Sequence, residues 1–212
     1  MSSRFSKNRR KVIVVFVILI VLCETIAYLA TTPRPTEQFF QLYVLGADHT
    51  ISHYYPNDNM NISPGERVAW YLGVVNNMGT VQFISIRVKI SNATVKPPDD
   101  QQIVESPAPV VTDFARFLED NETYEIPFVW SISNATQNGG TTRILTLQID
   151  NETYQISDWS ARNGYNFRLI FELWTWQTDI NAFEYGWNTI DMHHAAWVQL
   201  WFNMTSAPYI SQ

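Results

Sequence analysis

Residues Phe83 to Ile90 read FISIRVKI, and this stretch decides the fold class that the sequence predicts. Isoleucine or valine occupies every second position from Ile84 onward, and a serine, an arginine and a lysine lie between them. Successive side chains of a β-strand point to opposite faces, so this alternation predicts a strand with one buried face.

The same two-residue alternation recurs along the rest of the chain, with turn sequences between the segments. Seven more strands are predicted, over residues 39–45, 67–76, 124–132, 143–149, 152–156, 165–176 and 195–204. Residues 114–118 fit either a short helix or the beginning of a strand. Many short strands without long helices between them predict an antiparallel immunoglobulin-like β-sandwich, with a closed barrel as the alternative.

The N-terminal segment has a different composition. Five of the 14 basic residues lie in residues 1–11, and residues 12–30 are apolar except for Glu24 and Thr25. A basic flank before an apolar run of this length predicts one N-terminal transmembrane helix that acts as an uncleaved signal anchor. A cleaved signal peptide is the alternative, but Tyr28 is too large for the position before a cut at Ala30. The expected localisation is the cell membrane, with a cytoplasmic N-terminus and an extracellular C-terminal domain.

The predicted organisation follows from these boundaries. It comprises a basic tail at 1–11, the anchor at 12–30, a linker at 31–37, the β-sandwich at 38–206 and a tail at 207–212. Within the anchor, Glu24 is the candidate for an intramembrane contact, because an ionisable group in hydrocarbon is costly without a partner. The alternative is that Glu24 lies near the outer interface.

The charge balance excludes one class of partner. Residues 31–212 contain 9 basic and 19 acidic residues, a net charge of −10. Nucleic-acid binding requires clustered lysine and arginine, so no nucleic-acid partner is expected. The single cysteine, Cys23, excludes an intrachain disulfide and a zinc site made of cysteines.

The predicted exported domain is rich in potential glycosylation sites. Asn-x-Ser/Thr sequons begin at Asn61, Asn92, Asn121, Asn134, Asn151 and Asn203. Six sequons in one domain that has no cysteine favour a glycosylated surface protein of archaeal type. The alternative is a chain rich in asparagine and threonine that carries no glycan.

Several motifs resemble an archaeal family, the domain-of-unknown-function family sixteen-sixteen. They are Leu42–Gly46, Tyr55-Pro56, Ser63–Glu66, Gly73–Asn76, Asn121–Thr123 with the strand that reaches Phe128, and Tyr165–Leu173. The resemblance covers about residues 38–176. It implies a membrane-anchored, exported, sandwich-like domain, and it implies no activity.

No sequence motif in the chain predicts catalysis. A nucleophile elbow, a phosphate loop and a dinucleotide fingerprint are all missing from the sequence, so no enzyme activity and no cofactor are expected. A metal site would need His49 or His53 to meet His193 or His194. Solvated loop histidines are the simpler interpretation.

The aromatic C-terminal end provides the candidate binding residues, which are Trp174, Trp176, Phe183, Tyr185 and Trp187. Aromatic side chains on one face suit a protein partner or a sugar ring, and they are also typical of a core. The predicted function is therefore a structural or protein-interaction subunit at a cell surface, with other surface or membrane proteins as partners. A carbohydrate- or small-ligand-binding module is the alternative.

Overall fold

The computed structural model describes residues 2–31, 37–156, 159–190 and 192–204. These residues belong to two compact units, one over residues 1–37 and one over residues 38–212. The first unit holds a single α-helix, α1, from Ser2 to Thr31.

The predicted transmembrane helix over residues 12–30 is wrong. In the described part of the chain, no helix combines the length and the apolar character that crossing a bilayer requires. The apolar stretch of α1 contains Glu24 and Thr25, and the Thr25 hydroxyl donates a hydrogen bond to the Val21 carbonyl oxygen at 2.7 Å. The same finding overturns the localisation that depended on this helix, a cell-membrane protein with a cytoplasmic N-terminus and an extracellular domain.

The second unit is built from strands. They are β1 Phe39–Leu45, β2 Asn61–Ile62, β3 Val68–Asn77, β4 Gln82–Asn92, β5 Val110–Leu118, β6 Thr123–Asn138, β7 Thr141–Ile149, β8 Glu152–Gln155, β9 Ser160–Arg162, β10 Phe167–Gln177, β11 Ala182–Tyr185, β12 Trp187–Asn188, β13 His193–His194 and β14 Trp197–Met204. A short 3₁₀ turn covers Pro56–Asp58. The ambiguous segment 114–118 belongs to a strand, β5.

Most of these strands form two six-stranded sheets. Sheet 1 has the order β1-β3-β6-β7-β8, with β9 also paired to β7. Sheet 2 has the order β2-β14-β10-β4-β5, with β11 also paired to β10, and β12 and β13 form a separate small ribbon. The pairing is antiparallel except between β14 and β2. The prediction of an all-β sandwich is confirmed, and the strands form two sheets with edges rather than a closed barrel.

The core lies between the inner faces of the two sheets. Trp70 on β3 is fully buried and packs against Phe128 and Trp130 of β6, with ring centroids 6.2 and 5.1 Å away. From sheet 2, the Phe171 ring approaches Trp70 edge-on at 6.1 Å. These rings join the two sheets, and on β4 the inward residues are the isoleucines and valine of the alternating stretch.

Candidate functional site

The structure divides the predicted aromatic site into a buried part and an accessible part. Trp174, Tyr185 and Trp187 are only 5–7% exposed. Trp176 and Phe183 are half-buried and lie at one end of sheet 2. Because three of the five residues are buried, the five do not form one continuous binding surface.

Two phenylalanines that the sequence analysis did not select complete the accessible part. Phe117 of β5 and Phe83 of β4 are direct cross-strand partners, and their rings stack at 4.4 Å. Phe83 lies 6.0 Å from Trp176 of β10 and 5.0 Å from Phe183 of β11. We call these four residues the aromatic row.

Strand register places the aromatic row on the outer face of sheet 2. On β4 the next residue after Phe83 is Ile84, which is buried in the core, so Phe83 points away from the core. Trp176 and Phe183 are also cross-strand partners. The alternation of Phe83 with the isoleucines was visible in the sequence, but its pairing with Phe117, 34 residues later, was not.

The rings of the aromatic row pack against one another instead of lying in one plane. The Phe83 and Phe117 rings are inclined by 18°, whereas Trp176 and Phe183 meet at 83°. Phe117 is 65% exposed and is the most accessible member. This geometry offers an uneven apolar surface that suits the side chains of a partner better than the flat face of a sugar ring.

Trp174, one of the three buried residues of the predicted site, belongs to a polar network on the same outer face. The Arg87 guanidinium lies 3.5 Å from the Trp174 ring centre, and the Trp174 indole N–H donates to Glu172 Oε2 at 3.2 Å. Lys89 Nζ lies 2.9 Å from the same carboxylate oxygen. Both charged groups of that ion pair are buried.

Residues 93–109, which connect β4 to β5, lie over this network, and we call them the cover segment. Its Ser106 backbone N–H donates to Glu172 Oε1 at 2.8 Å, and its Ser106 carbonyl oxygen accepts from Lys89 Nζ at 2.7 Å. The Glu105 carboxylate is 2.5 Å from the same amine. The network therefore attaches the cover segment to the sheet, which gives these charges a structural role.

Tyr185 and Trp187 carry polar groups without hydrogen-bond partners. Among the described residues, no partner reaches the Tyr185 hydroxyl or the Trp187 indole N–H. Burial, and then the charge of Glu172, raise the pKa of the Tyr185 hydroxyl above its ordinary value. The Trp187 ring is enclosed between Phe40, at 5.3 Å, and His194, at 5.5 Å.

The four histidines take part in separate local contacts. The His49 ring stacks on Tyr71, with ring centroids 3.6 Å apart, and its Nδ1 is hydrogen-bonded to Glu125 Oε1 at 2.9 Å. His53 Nδ1 lies 2.7 Å from Asp58, and this carboxylate raises the pKa of His53.

At the other end of the chain, His193 is bonded to the Tyr185 carbonyl oxygen at 2.8 Å, and His194 lies 3.3 Å from the Thr189 hydroxyl. Across the ranges that the structure describes, no group of three or more His, Cys, Asp or Glu residues is placed to hold a metal ion. The geometry thus gives the metal-site hypothesis no support.

The predicted glycosylation sites fall into two groups. Asn121, Asn134 and Asn151 are exposed. Asn61, Asn92 and Asn203 are half-buried, and their side-chain amides donate hydrogen bonds to protein groups, as the amide of the exposed Asn121 also does to Asp120 at 2.7 Å. Asn203 Nδ2 donates to Asn61 Oδ1 at 2.9 Å, and Asn92 Nδ2 donates to the Ser160 carbonyl oxygen at 2.7 Å.

Glu24, the predicted intramembrane contact, is exposed on α1. Since the predicted span is wrong, the reason for that role no longer holds.

The wider comparison with known proteins adds little. No protein-family model matches the chain, and no curated protein matches it.

The similarity to solved structures is weak. A β-glucosidase from Listeria innocua in complex with glucose matches at 8% identity and a TM-score of 0.35, over 82% of this chain and 17% of that chain. The sporulation control protein Spo0M from Bacillus subtilis matches at 9% identity and a TM-score of 0.36, over 79% and 49%. The C-terminal domain of wzt matches at 7% identity and a TM-score of 0.37, over 84% of each chain. The chain thus spans under half the length of the first two.

Proposed function

We propose that this protein is a non-catalytic β-sandwich that acts as a structural or protein-interaction subunit, with the aromatic row as its contact surface. The exposed Phe117 ring, stacked on Phe83, carries the proposal. Aromatic side chains that share an exposed surface are the usual anchors of protein interfaces. Trp176 and Phe183 extend this apolar surface across sheet 2.

Carbohydrate binding is the weaker alternative. Sugar rings stack on flat, accessible aromatic faces, but Trp176 and Phe183 meet at 83° and Trp174 is covered by Arg87.

The relation to the archaeal family sixteen-sixteen is likewise a proposal. Two glycines of the motifs that carry the resemblance are required by the backbone of this chain, because a side chain on Gly46 would collide with the Ser52 carbonyl oxygen and Gly65 has a φ of +81°.

Site-specific photo-crosslinking in the cells that make the protein tests the proposal. A photoreactive phenylalanine replaces Phe117 in the full chain. The matched control carries the same residue in place of Tyr165, which is also exposed but precedes the first residue of β10, at the end of that strand away from Trp176. A single defined protein adduct at position 117 and none at position 165 is expected. Equal labelling from both positions, or no protein adduct from 117, contradicts the proposal. A glycan adduct from 117 alone favours the carbohydrate alternative.

A further inference from the structure

Strand β5 forms one edge of sheet 2. In the part of the chain that the structure describes, β4 is its only strand partner. Strand β5 runs for nine residues without a proline, although Pro109 comes directly before it. A long strand with a free edge presents a row of unpaired backbone groups, which is a template for another strand.

The hydrogen bonds of β10 show which of its residues direct their backbone N–H and carbonyl groups toward β4 and which direct them away from it. The Leu173 N–H donates to the Ala196 carbonyl oxygen, and the Leu173 carbonyl oxygen accepts from Gly186, so both groups point away from β4. In an antiparallel sheet, both backbone groups of a residue point to the same side, and the side alternates along the strand. The backbone groups of Trp174 therefore point to Ser85 on β4.

The same alternation extends across β4 to the edge. Because Ser85 faces β10, its neighbours Ile84 and Ile86 face β5, where their partners are Arg116 and Phe114. The remaining residues of this part of β5, Asp113, Ala115 and Phe117, then direct their N–H and carbonyl groups outward at the free edge. All three of these residues are exposed.

Side chains of an added strand would meet a distinct surface on each face of sheet 2. On the outer face, Phe117 connects the edge to the aromatic row. On the inner side, a cavity of about 170 Å³ opens between the two sheets, lined by Val110 and Val111 of β5 and by Tyr154, Ile156 and Trp159 of sheet 1 and its connections. Alternate residues of the added strand would contact one or the other, which is how strand addition achieves specificity.

The charge at this edge indicates the composition of the partner. Asp113, Glu119 and Asp120 are exposed, and within the described ranges none of them forms an ion pair. The one guanidinium on β5, Arg116, is already paired with Glu122 at 2.9 Å. An acidic edge disfavours a second copy of the same edge and favours a segment that carries lysine or arginine.

We infer that an extended segment of a partner protein, with apolar residues at alternate positions and basic residues between them, adds to the free edge of β5 as a further strand of sheet 2. This inference rests on the proposed protein-interaction function and specifies its mode. Backbone hydrogen bonds to Asp113, Ala115 and Phe117 would supply affinity, and the aromatic row and the cavity would select the side chains.

The probe is a phage-displayed library of random linear peptides, each longer than β5, selected on the full-length chain. Recovered peptides are expected to alternate apolar with polar residues and to be rich in lysine or arginine. On binding, amide hydrogen exchange should slow at Asp113, Ala115 and Phe117, and should change little at Phe114 and Arg116, whose amides already bond to β4. Uniform or absent protection along β5 overturns strand addition.

Two variants separate this inference from the proposed function. Ala115→Pro removes one outward N–H and is expected to weaken peptide binding by about tenfold or more. Ala115→Thr is the control, because it keeps this N–H and is expected to bind the peptide as the wild type does. Loss of binding in Trp176→Ala with no effect of Ala115→Pro overturns strand addition and leaves the aromatic row as an interface. Insensitivity to both variants, or recovery of no peptide, overturns the inference and the proposed surface together. The exchange pattern of the wild-type chain keeps the test valid if Ala115→Pro fails to fold.

Discussion

Lys89 of β4 and Glu172 of β10 form a diagonal ion pair between neighbouring strands of sheet 2, with Nζ and Oε2 2.9 Å apart and side chains 1% and 0% exposed. They lie on the outer face, where an ion pair would ordinarily be solvated. The cover segment removes them from water by placing the Ser106 backbone against both. The pair therefore depends on the cover segment, and the cover segment is attached through the pair.

Breaking this pair on one side should destabilise the domain strongly. Lys89→Met leaves the Glu172 carboxylate buried without its cation, and a loss of about 3–5 kcal/mol in the free energy of unfolding is expected. The double variant Lys89→Met with Glu172→Gln should recover much of it, since no uncompensated charge remains. Glu105→Gln is the control, because its carboxylate is 45% exposed and should contribute no more than about 1 kcal/mol. Urea unfolding measures all three, and a double variant as unstable as the single one would contradict the explanation.

The buried Tyr185 and the half-buried Tyr55 should make stability fall in alkaline solution. Burial raises the pKa of both Tyr55 and Tyr185 in the folded state, whereas tyrosine in the unfolded chain titrates at about pH 10. The folded state therefore holds these protons longer, and stability is expected to be fully present below about pH 10 and to be lost as the pH rises above it. Tyr185→Phe should reduce this alkaline loss, which urea unfolding at neutral and alkaline pH will measure.

The same two residues should differ at neutral pH. The Tyr185 hydroxyl has no hydrogen-bond partner among the described residues, so Tyr185→Phe is expected to leave stability unchanged or to raise it. The Tyr55 hydroxyl donates to the Trp201 carbonyl oxygen, and Tyr55→Phe should lower stability by about 1 kcal/mol. Equal effects of the two substitutions would show that the Tyr185 hydroxyl is hydrogen-bonded after all.

Gly73 on β3 should tolerate no side chain while Tyr43 faces it. The two residues are cross-strand partners, and a Cβ on Gly73 would collide with the Tyr43 ring. Gly73→Ala is expected to lower the free energy of unfolding by about 1–3 kcal/mol. The Tyr43 ring would have to move away from residue 73, and its hydroxyl would lose the hydrogen bond that it donates to Glu125. In the Tyr43→Ser background the same substitution should be almost neutral. Thermal unfolding of the four proteins gives this coupling directly, and purely additive effects would contradict the steric account.

If the chain is glycosylated, occupancy should follow the exposure of the asparagine side chains. A glycan is attached to Nδ2. In the half-buried Asn203 and Asn92 this atom donates a hydrogen bond to a residue distant in the chain, whereas in the exposed Asn121 it donates to the neighbouring Asp120. Glycopeptide mass spectrometry is expected to find glycans at the exposed sites Asn121, Asn134 and Asn151 alone. A glycan found at Asn203 or Asn92 would show that these pairs open before or during modification.

The main strands could be predicted from the sequence because alternation is a local property. The stretch from Phe83 to Ile90 forms part of β4, with its isoleucines and valine in the core as predicted. The shortest strands were missed, since two residues, as in β2, show no periodicity. Strand β5 was ambiguous because Phe114, Phe117 and Leu118 fit the spacing of a helix, and only pairing with β4 makes this segment a strand.

Part of the candidate site could be predicted for the same reason. Trp174 and Trp176 are two residues apart and belong to one face, which the sequence determined. Their exposure differs because Arg87 and Tyr185 pack against Trp174, whereas Trp176 lies among the rings of the aromatic row. No local pattern encodes which residues of a face another segment will cover.

By itself, the sequence determined most of the long extended segments, which side chains of each share a face, and that residues 31–212 carry a net negative charge. These properties depend on neighbours along the chain. The tertiary structure alone decided that Phe83 stacks on Phe117, that the cover segment buries Lys89 and Glu172, and that β5 has a free edge. Each of these depends on the strand order and register of sheet 2, which are set by packing between residues far apart in the chain.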